Sequence, residues 1–343
     1  MKRLIKIGLF SFSPMTWIRF ISLKKIINLF KIYLSYYLSI LFRKVIVWGY
    51  PYSLTTEPTN RCNLNCLECP TGNKTSPREQ GIIQTDLYKK ILDEAKEFAI
   101  YQMIYFQGEP FLHPNVFELI KIANQNKIYT CTSTNGHFLT SENCQKIIQS
   151  GLKKLIVSMD GTDQTSYEKY RVGGNLAKVI DGIETLILEK RSKNSSYPKV
   201  HLQFLVFQHN EHQIQQIKNL AEKLAVDKLI LKSAQIEDFK QNSHLIPSID
   251  KYSRYTENSF QIKNNQKKNC FRIWSTAVFS WEGTLIPCCF DKNLQHPFGN
   301  IKSLSLKKLW KSKEFNEFRK KFLQKRKKTG ICGNCTENLR IQF

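Results

Sequence analysis

From residue 52 onward the chain alternates between short runs rich in β-branched and aromatic residues and longer stretches whose apolar positions return every three or four residues. The first kind suits a buried strand, and the second suits one face of a helix. Strands are predicted at "YSLTTEP", "IYQMIYF", "KIYTCTSTNG", "KKLIVSMDG", "KVHLQFLVF" and "DKLILKS", with helices over 84–98, 114–125, 140–150, 175–192 and 210–224 between them. This makes six βα repeats of about thirty residues each. Such alternation builds a parallel sheet covered by helices, and six repeats are too few to close an eight-stranded barrel. The expected fold is therefore α/β, an open, TIM-like partial (β/α)6 barrel over 51–235, with its reactive groups at the carboxyl ends of the strands.

Ahead of the barrel, residues 22–45 read "SLKKIINLFKIYLSYYLSILFRKV". The apolar stretch from Ile26 to Phe42 holds 17 residues and is interrupted by Asn28 and Lys31, which is short for a bilayer span. Lys25, Asn28, Lys31 and Ser35 recur at three and four residues, so a helix here has one wet face and one apolar face. Packing on the protein or peripheral contact with a membrane fits that pattern better than crossing. Residues 1–50 are read as a basic amphipathic helical extension.

The formal charge is +24, and it is uneven. Residues 1–50 hold nine Lys or Arg and no acid, and residues 301–343 hold thirteen against three Glu. That could mark an anionic surface or nucleic acid, or simply solvated lysine-rich faces; no RNA-binding module accompanies the charge, so nucleic acid is not an expected partner. Met1-Lys2-Arg3 looks like the start of a signal peptide, but Pro14 cuts the following apolar run and no small-residue cleavage site follows. The expected location is the cytoplasm, with membrane association through residues 22–45 as an addition.

Ten cysteines are too few for a disulfide scaffold in 343 residues, and most fall in two groups. Cys62, Cys66 and Cys69 form C-x3-C-x2-C directly after the first strand. Three thiolates can hold three corners of a four-iron cluster and leave the fourth iron open. A zinc site completed by a distant ligand is the other reading of the same residues. The second group is Cys270, Cys288, Cys289, Cys332 and Cys335. A predicted hairpin over 273–287 brings Cys270 toward Cys288, and a C-x2-C knuckle arrives after a helix near 305–325, so four thiolates can meet at one centre. Cys131 and Cys144 read as small buried apolar residues.

The stretch "EPTNRCNLNCLECP" resembles the signature of the radical S-adenosylmethionine (radical SAM) superfamily. The resemblance covers 52 to about 232, since further family-like segments follow at successive strand ends. Gln107-Gly108-Glu109-Pro110 is similar to the family's GGEP motif, with Gln in place of the first Gly. The resemblance implies that this segment, with Glu109 foremost, binds the methionyl ammonium. Thr134 and Asn135 of "STNG", and Ser158 and Asp160 of "VSMDG", are implied cofactor contacts. Arg171, in Tyr170-Arg171-Val172-Gly173-Gly174, is implied to pair with the methionyl carboxylate. Gln203 and Asn210 are weaker candidates for lining the pocket.

Residues from about 266 to 336 resemble the SPASM/twitch extension of some radical SAM enzymes, with the phrases "G-x-x-x-P-C-C" and "GNI…SL…W". Five cysteines are too few for two extra clusters, so the one-cluster form is expected within a small α+β domain over 236–343. Its implied ligands are Cys270, Cys288, Cys332 and Cys335, with Cys289 as the alternative to Cys288. The cofactors implied are a SAM-binding 4Fe-4S cluster, one auxiliary 4Fe-4S cluster and S-adenosylmethionine. The implied activity is oxidoreductase chemistry: reductive cleavage of S-adenosylmethionine to a 5'-deoxyadenosyl radical, then modification or oxidation of an unactivated C–H site. The implied substrate is a peptide, carbohydrate or small metabolite, the implied reductant a flavodoxin or ferredoxin, and the auxiliary cluster is implied to take the second electron. Asp291 is the candidate base for such an oxidation. An RNA-modifying radical SAM protein and a zinc-stabilised binding protein are the rival functions.

Overall fold

A computed structural model describes residues 18–256, 261–263, 270–325 and 330–335. The chain opens with α1 (Leu23–Phe42) and then follows β1 (Ser53–Thr56), α2 (Thr85–Ala95), β2 (Tyr101–Met103), α3 (Val116–Gln125), β3 (Tyr129–Thr134), α4 (Ser141–Gln149) and β4 (Lys154–Ser158). Next come α5 (Gln164–Glu168), α6 (Leu176–Ser192), β5 (Lys199–Val206), α7 (Ile214–Lys223), β6 (Lys228–Ser233) and α8 (Phe239–Asn242). The carboxyl-terminal part contributes α9 (Arg272–Ser275), β7 (Thr276–Phe279), β8 (Leu285–Ile286), α10 (Leu306–Trp310) and α11 (Lys313–Lys325).

The strands form one sheet in the order β6-β5-β4-β3-β2-β1-β7-β8. β1 to β6 are parallel throughout, as the six repeats predicted, and the sheet stays open. Helix starts follow local chemistry: Thr140, Asp163 and Asn175 each accept a hydrogen bond from a backbone N–H three residues on, beginning α4, α5 and α6.

The carboxyl-terminal segment extends this sheet. β7 lies parallel to β1, pairing Ser53 with Thr276 through Thr56 with Phe279, and β8 turns back antiparallel to β7. One apolar core accordingly joins Tyr88, Ile91, Leu92 and Phe98 to Trp274, Phe279, Leu285, Phe298, Trp310 and Phe315. The predicted hairpin over 273–287 is shorter than expected because residues 272–275 turn into helix before β7 begins. The single helix expected near 305–325 is two, since Ser312 Oγ accepts from Phe315 N–H and starts α11 afresh.

At the amino-terminal helix the expected orientation is reversed. Of the predicted polar positions, Lys25, Asn28 and Ser35 are buried against the protein with Ile32 and Ser39, Lys31 stays exposed, and the apolar face is exposed. Each buried polar group has found a partner, which removes the cost of its burial. Lys25 Nζ donates to the carbonyls of Phe20 and Lys127, at 3.2 and 2.9 Å. Asn28 exchanges two 2.8 Å hydrogen bonds with the backbone of Tyr50. Ser39 Oγ accepts from Ile46 N–H at 3.0 Å. Burial, with the Lys127 charge adding to it, pushes the Lys25 ammonium down to about 8.

A buried ion pair fastens the start of the barrel to the extension. Arg78 donates from both terminal nitrogens to Glu57, and Trp281 N–H also donates to Glu57 at 3.1 Å. Glu57 is fully enclosed and Arg78 nearly so. Removing one partner strands the other charge without water. Glu57→Ala should therefore lower unfolding stability by about 3–5 kcal/mol, and the double change Glu57→Leu with Arg78→Met should restore most of it, as measured by urea titration.

Candidate functional site

The carboxyl ends of β1 to β4 converge on one cavity of about 200 Å³. Cys62, Cys66 and Cys69 line it from the loop after β1; Gly108 and Glu109 from the loop after β2; Ser133, Thr134 and Asn135 from β3; Ser158 from β4; Tyr170 and Arg171 from the turn after α5. All three cysteines predicted as cluster ligands therefore face the segments predicted to hold the cofactor.

The cysteine loop is folded by its own turns and by its neighbours. Cys69 N–H donates to Cys66 O and Asn73 N–H to Cys69 O, while Asn65 N–H reaches across to Val172 O at 3.0 Å. Gly108 is the close approach: at φ +73° its Cα sits where an added Cβ would lie 2.6 Å from the carbonyl oxygens of both Arg61 and Thr59. Next to it, Glu109 N–H donates to Arg61 O at 2.8 Å. Glycine is required there by backbone angle and by space together.

Glu109 is buried, and its carboxylate is held from three directions. Oε1 accepts from Phe111 N–H at 3.2 Å and from Thr134 Oγ1–H at 2.9 Å, and Oε2 accepts from Asn135 N–H at 2.8 Å. Burial nonetheless pushes its pKa up to about 7, because these bonds and the Arg171 charge offset only part of the lost hydration. Asn135 in turn donates to Asn63 Oδ1 at 2.7 Å and lies 4.0 Å from Cys62 Sγ.

His137 and Asn63 complete this arrangement and were not singled out from the sequence. Asn175 N–H donates to His137 Nε2, so the ring proton sits on Nδ1 and faces Asn135 Oδ1 at 3.1 Å. Burial lowers the His137 pKa. Its adjacency to "STNG" was the available signal.

Arg171 Nε donates to Asp160 Oδ2 at 2.6 Å, and Arg171 Nη1 lies 3.8 Å from Cys66 Sγ. The other Asp160 oxygen accepts from Leu205 N–H, and Asn210 Nδ2 donates to Asp160 O. Asp160 and Asn210 thus set the place of Arg171, with both oxygens of the Asp160 carboxylate already engaged. Pro110 opens a buried 3-10 turn, and Gln107 Oε1 accepts from Thr71 at 3.5 Å.

In the second group Cys270, Cys332 and Cys335 are buried, Cys288 is partly exposed and Cys289 is exposed. Burial, together with the neighbouring thiols of Cys289, Cys270 and Cys335, holds Cys288 well above its ordinary pKa. Cys289 Sγ instead lies 3.7 Å from Arg272 Nη1. Asp291 is buried beside them, and its two oxygens accept from the backbone N–H groups of Gln295 and His296. Its carboxylate shapes that loop and does not line the cavity of the first cysteine group.

The donor set fits the cluster implied for it. Among the described residues, no fourth cysteine and no histidine lines the cavity, and the one carboxylate there, Glu109, already accepts three hydrogen bonds, which leaves it acceptor capacity for a donor such as an ammonium. Burial, chiefly, pushes the Cys62 thiol up to about 11, so this sulfur becomes a thiolate when iron supplies the positive charge. Among the described residues, no set of three or more Cys, His, Asp or Glu closes around a single metal ion, as a structural zinc site would.

The sequence model of the radical SAM superfamily matches residues 56–221, and that of the SPASM iron–sulfur cluster-binding domain matches 270–336. The chain belongs to the radical SAM superfamily and carries a SPASM domain. It is 26% identical to the tungsten-containing aldehyde ferredoxin oxidoreductase cofactor-modifying protein of Pyrococcus furiosus, over 82% of this chain and 86% of the relative. It is 33% identical to the AdoMet-dependent heme synthase of Methanosarcina barkeri, over 40% of this chain and 39% of that one. Among solved structures, Streptococcus suis SuiB bound to S-adenosylmethionine shares the fold at a TM-score of 0.63 and 14% identity, covering 84% of this chain and 73% of SuiB. The same protein bound to precursor peptide SuiA aligns at a TM-score of 0.61 and 15% identity, over 97% of this chain and 79% of SuiB.

The Glu109 geometry generates a pH dependence. A carboxylate is the form that receives an ammonium, and with a pKa near 7 it is lost as pH falls through neutrality. In cluster-reconstituted protein, affinity for S-adenosylmethionine should fall by up to about tenfold per pH unit below 7, and Glu109→Gln should bind weakly with a flat profile, as read by equilibrium dialysis.

Proposed function

We propose that this protein modifies or oxidises an unactivated C–H position of a peptide, carbohydrate or small metabolite. When bound, a 4Fe-4S cluster and S-adenosylmethionine supply the hard step, reductive cleavage to a 5'-deoxyadenosyl radical, and an auxiliary cluster accepts the electron left after hydrogen abstraction. Cys62, Cys66 and Cys69 would hold the first cluster. Cys270, Cys288, Cys332 and Cys335 would hold the second, and a flavodoxin or ferredoxin would be the reductant. The observation that carries this reading is three thiols, with no fourth thiol and no histidine among the described residues of the lining, sharing one cavity with a buried carboxylate.

The chain's own residues orient the cosubstrate. Glu109 accepts the methionyl ammonium, and Gly108 lets the backbone approach it. Arg171, already fixed by Asp160, offers its guanidinium to the methionyl carboxylate. Tyr105, Phe106 and Tyr170 line the cavity with apolar surface that limits water near a reactive carbon.

Lys232, on β6, lies in the field of Arg254 and Arg272 and, in the opposite direction, of Cys289 and Asp160. Burial lowers its pKa first and Arg254 second, and it makes no ion pair among the described residues. The relatives named for modifying an enzyme cofactor and for making heme, and SuiB with its bound peptide, support a small-metabolite or peptide substrate.

Replacing Cys62, Cys66 or Cys69 by alanine should abolish reductive cleavage of S-adenosylmethionine, measured as 5'-deoxyadenosine formed under dithionite. Cys335→Ala should retain that cleavage and lose turnover of the true substrate. Undiminished cleavage in the first three variants, or a colourless protein that binds zinc in place of iron and sulfide, would refute the assignment.

A further inference from the structure

We propose that α1 docks the protein on the surface of an anionic membrane, lying flat with its apolar face in the lipid headgroup region. Among the described residues, thirteen large apolar side chains are exposed, and ten of them lie between Ile21 and Trp48. Scattered exposed apolar residues are ordinary; this concentration in one segment is a surface built for contact.

The exposed side chains form one stripe. Leu23, Ile26, Ile27, Phe30, Leu34, Tyr37 and Leu41 recur at helical spacing, and the buried set Lys25, Asn28, Ile32, Ser35 and Ser39 recurs on the opposite side. Leu23, Phe30 and Leu41 are 73%, 66% and 72% exposed, so the stripe runs the length of the helix. A helix of 20 residues makes this about 30 Å long.

α1 is long and apolar enough by composition to cross a bilayer. Its buried face argues for lying on one instead. Crossing would strip Lys25 from the Phe20 and Lys127 carbonyls, Asn28 from Tyr50 and Ser39 from Ile46, and would place those groups in hydrocarbon. The same contacts keep the helix pinned to the barrel while its apolar face stays outward. Tyr33 stacks on Phe271 at 4.8 Å between ring centroids, and Tyr36 packs edge-on against Phe271 and Trp274.

The charge around the stripe selects the lipid. Residues 1–50 contain no Asp or Glu. Arg19, Lys31, Arg43 and Lys44 are exposed beside or at the ends of the stripe, and none makes an ion pair among the described residues. Lys24, in the first turn, is already paired with Glu97 at 2.6 Å; the apolar stripe bordered by the four other cations matches a bilayer with negative headgroups. A second copy of this chain would bring the same positive charges together, which disfavours it as the occupant.

The test is co-flotation of the full-length protein with vesicles of phosphatidylcholine alone or mixed with phosphatidylglycerol. The protein should float with the mixed vesicles and be released by salt. Phe30→Ser with Leu41→Ser should lower the bound fraction about tenfold or more, and Lys31→Glu with Arg43→Glu about fivefold or more, on the mixed vesicles only. All four side chains are exposed, so unchanged thermal melting is expected and checks that each variant is folded. Absence of flotation would overturn the proposal, as would undiminished flotation of the double serine variant, which would place the contact elsewhere, for example in residues 1–17. A dimer in solution that the double serine variant splits would assign the stripe to a second copy and overturn it too.

Discussion

The site depends on the seating of the loop after β2 on the loop that carries the three cysteines. Gly108, at positive φ, lies against the Arg61 and Thr59 carbonyls at a distance no side chain would allow, and Glu109 N–H bonds to Arg61 O. This contact fixes where the Glu109 carboxylate stands relative to Cys62, Cys66 and Cys69. Asn135 and Arg171 then reach the same sulfurs from the other strand ends. The parallel sheet brings these loops to one edge, and local hydrogen bonds set their spacing.

Burial is what gives the arrangement its chemistry. It raises the thiols of Cys62 and Cys66 and the carboxyl of Glu109 above their ordinary values, so each waits on a positive charge. In the proposed function a metal cluster and an ammonium are those charges. The Arg171–Asp160 pair supplies its own compensation and so can be held in place before any ligand arrives.

Much of this was legible in the sequence, because cysteine spacing and βα periodicity are local patterns. The triplet Cys62, Cys66 and Cys69 and the order of the strand-end motifs required no long-range information. What escaped was set by partners distant in sequence. Nothing near Lys25 or Asn28 announces the Lys127 carbonyl or the Tyr50 backbone, so the polar face of α1 reads as wet although it is buried. No local pattern shows that the Asp160 carboxylate holds Arg171 and Leu205 N–H. Asp291 stands beside two cysteines in sequence and shapes a turn. The pairing of β7 with β1 joins residues more than two hundred positions apart, which no periodicity reveals.

The central claim is that protein sulfur leaves one coordination position of the first cluster to S-adenosylmethionine. Electron paramagnetic resonance of the anaerobically reconstituted, reduced protein tests it most directly. The account predicts two cluster signals, one of which shifts on addition of S-adenosylmethionine while the other is unchanged. If both signals were indifferent to S-adenosylmethionine, the open position would not exist and the account would fail.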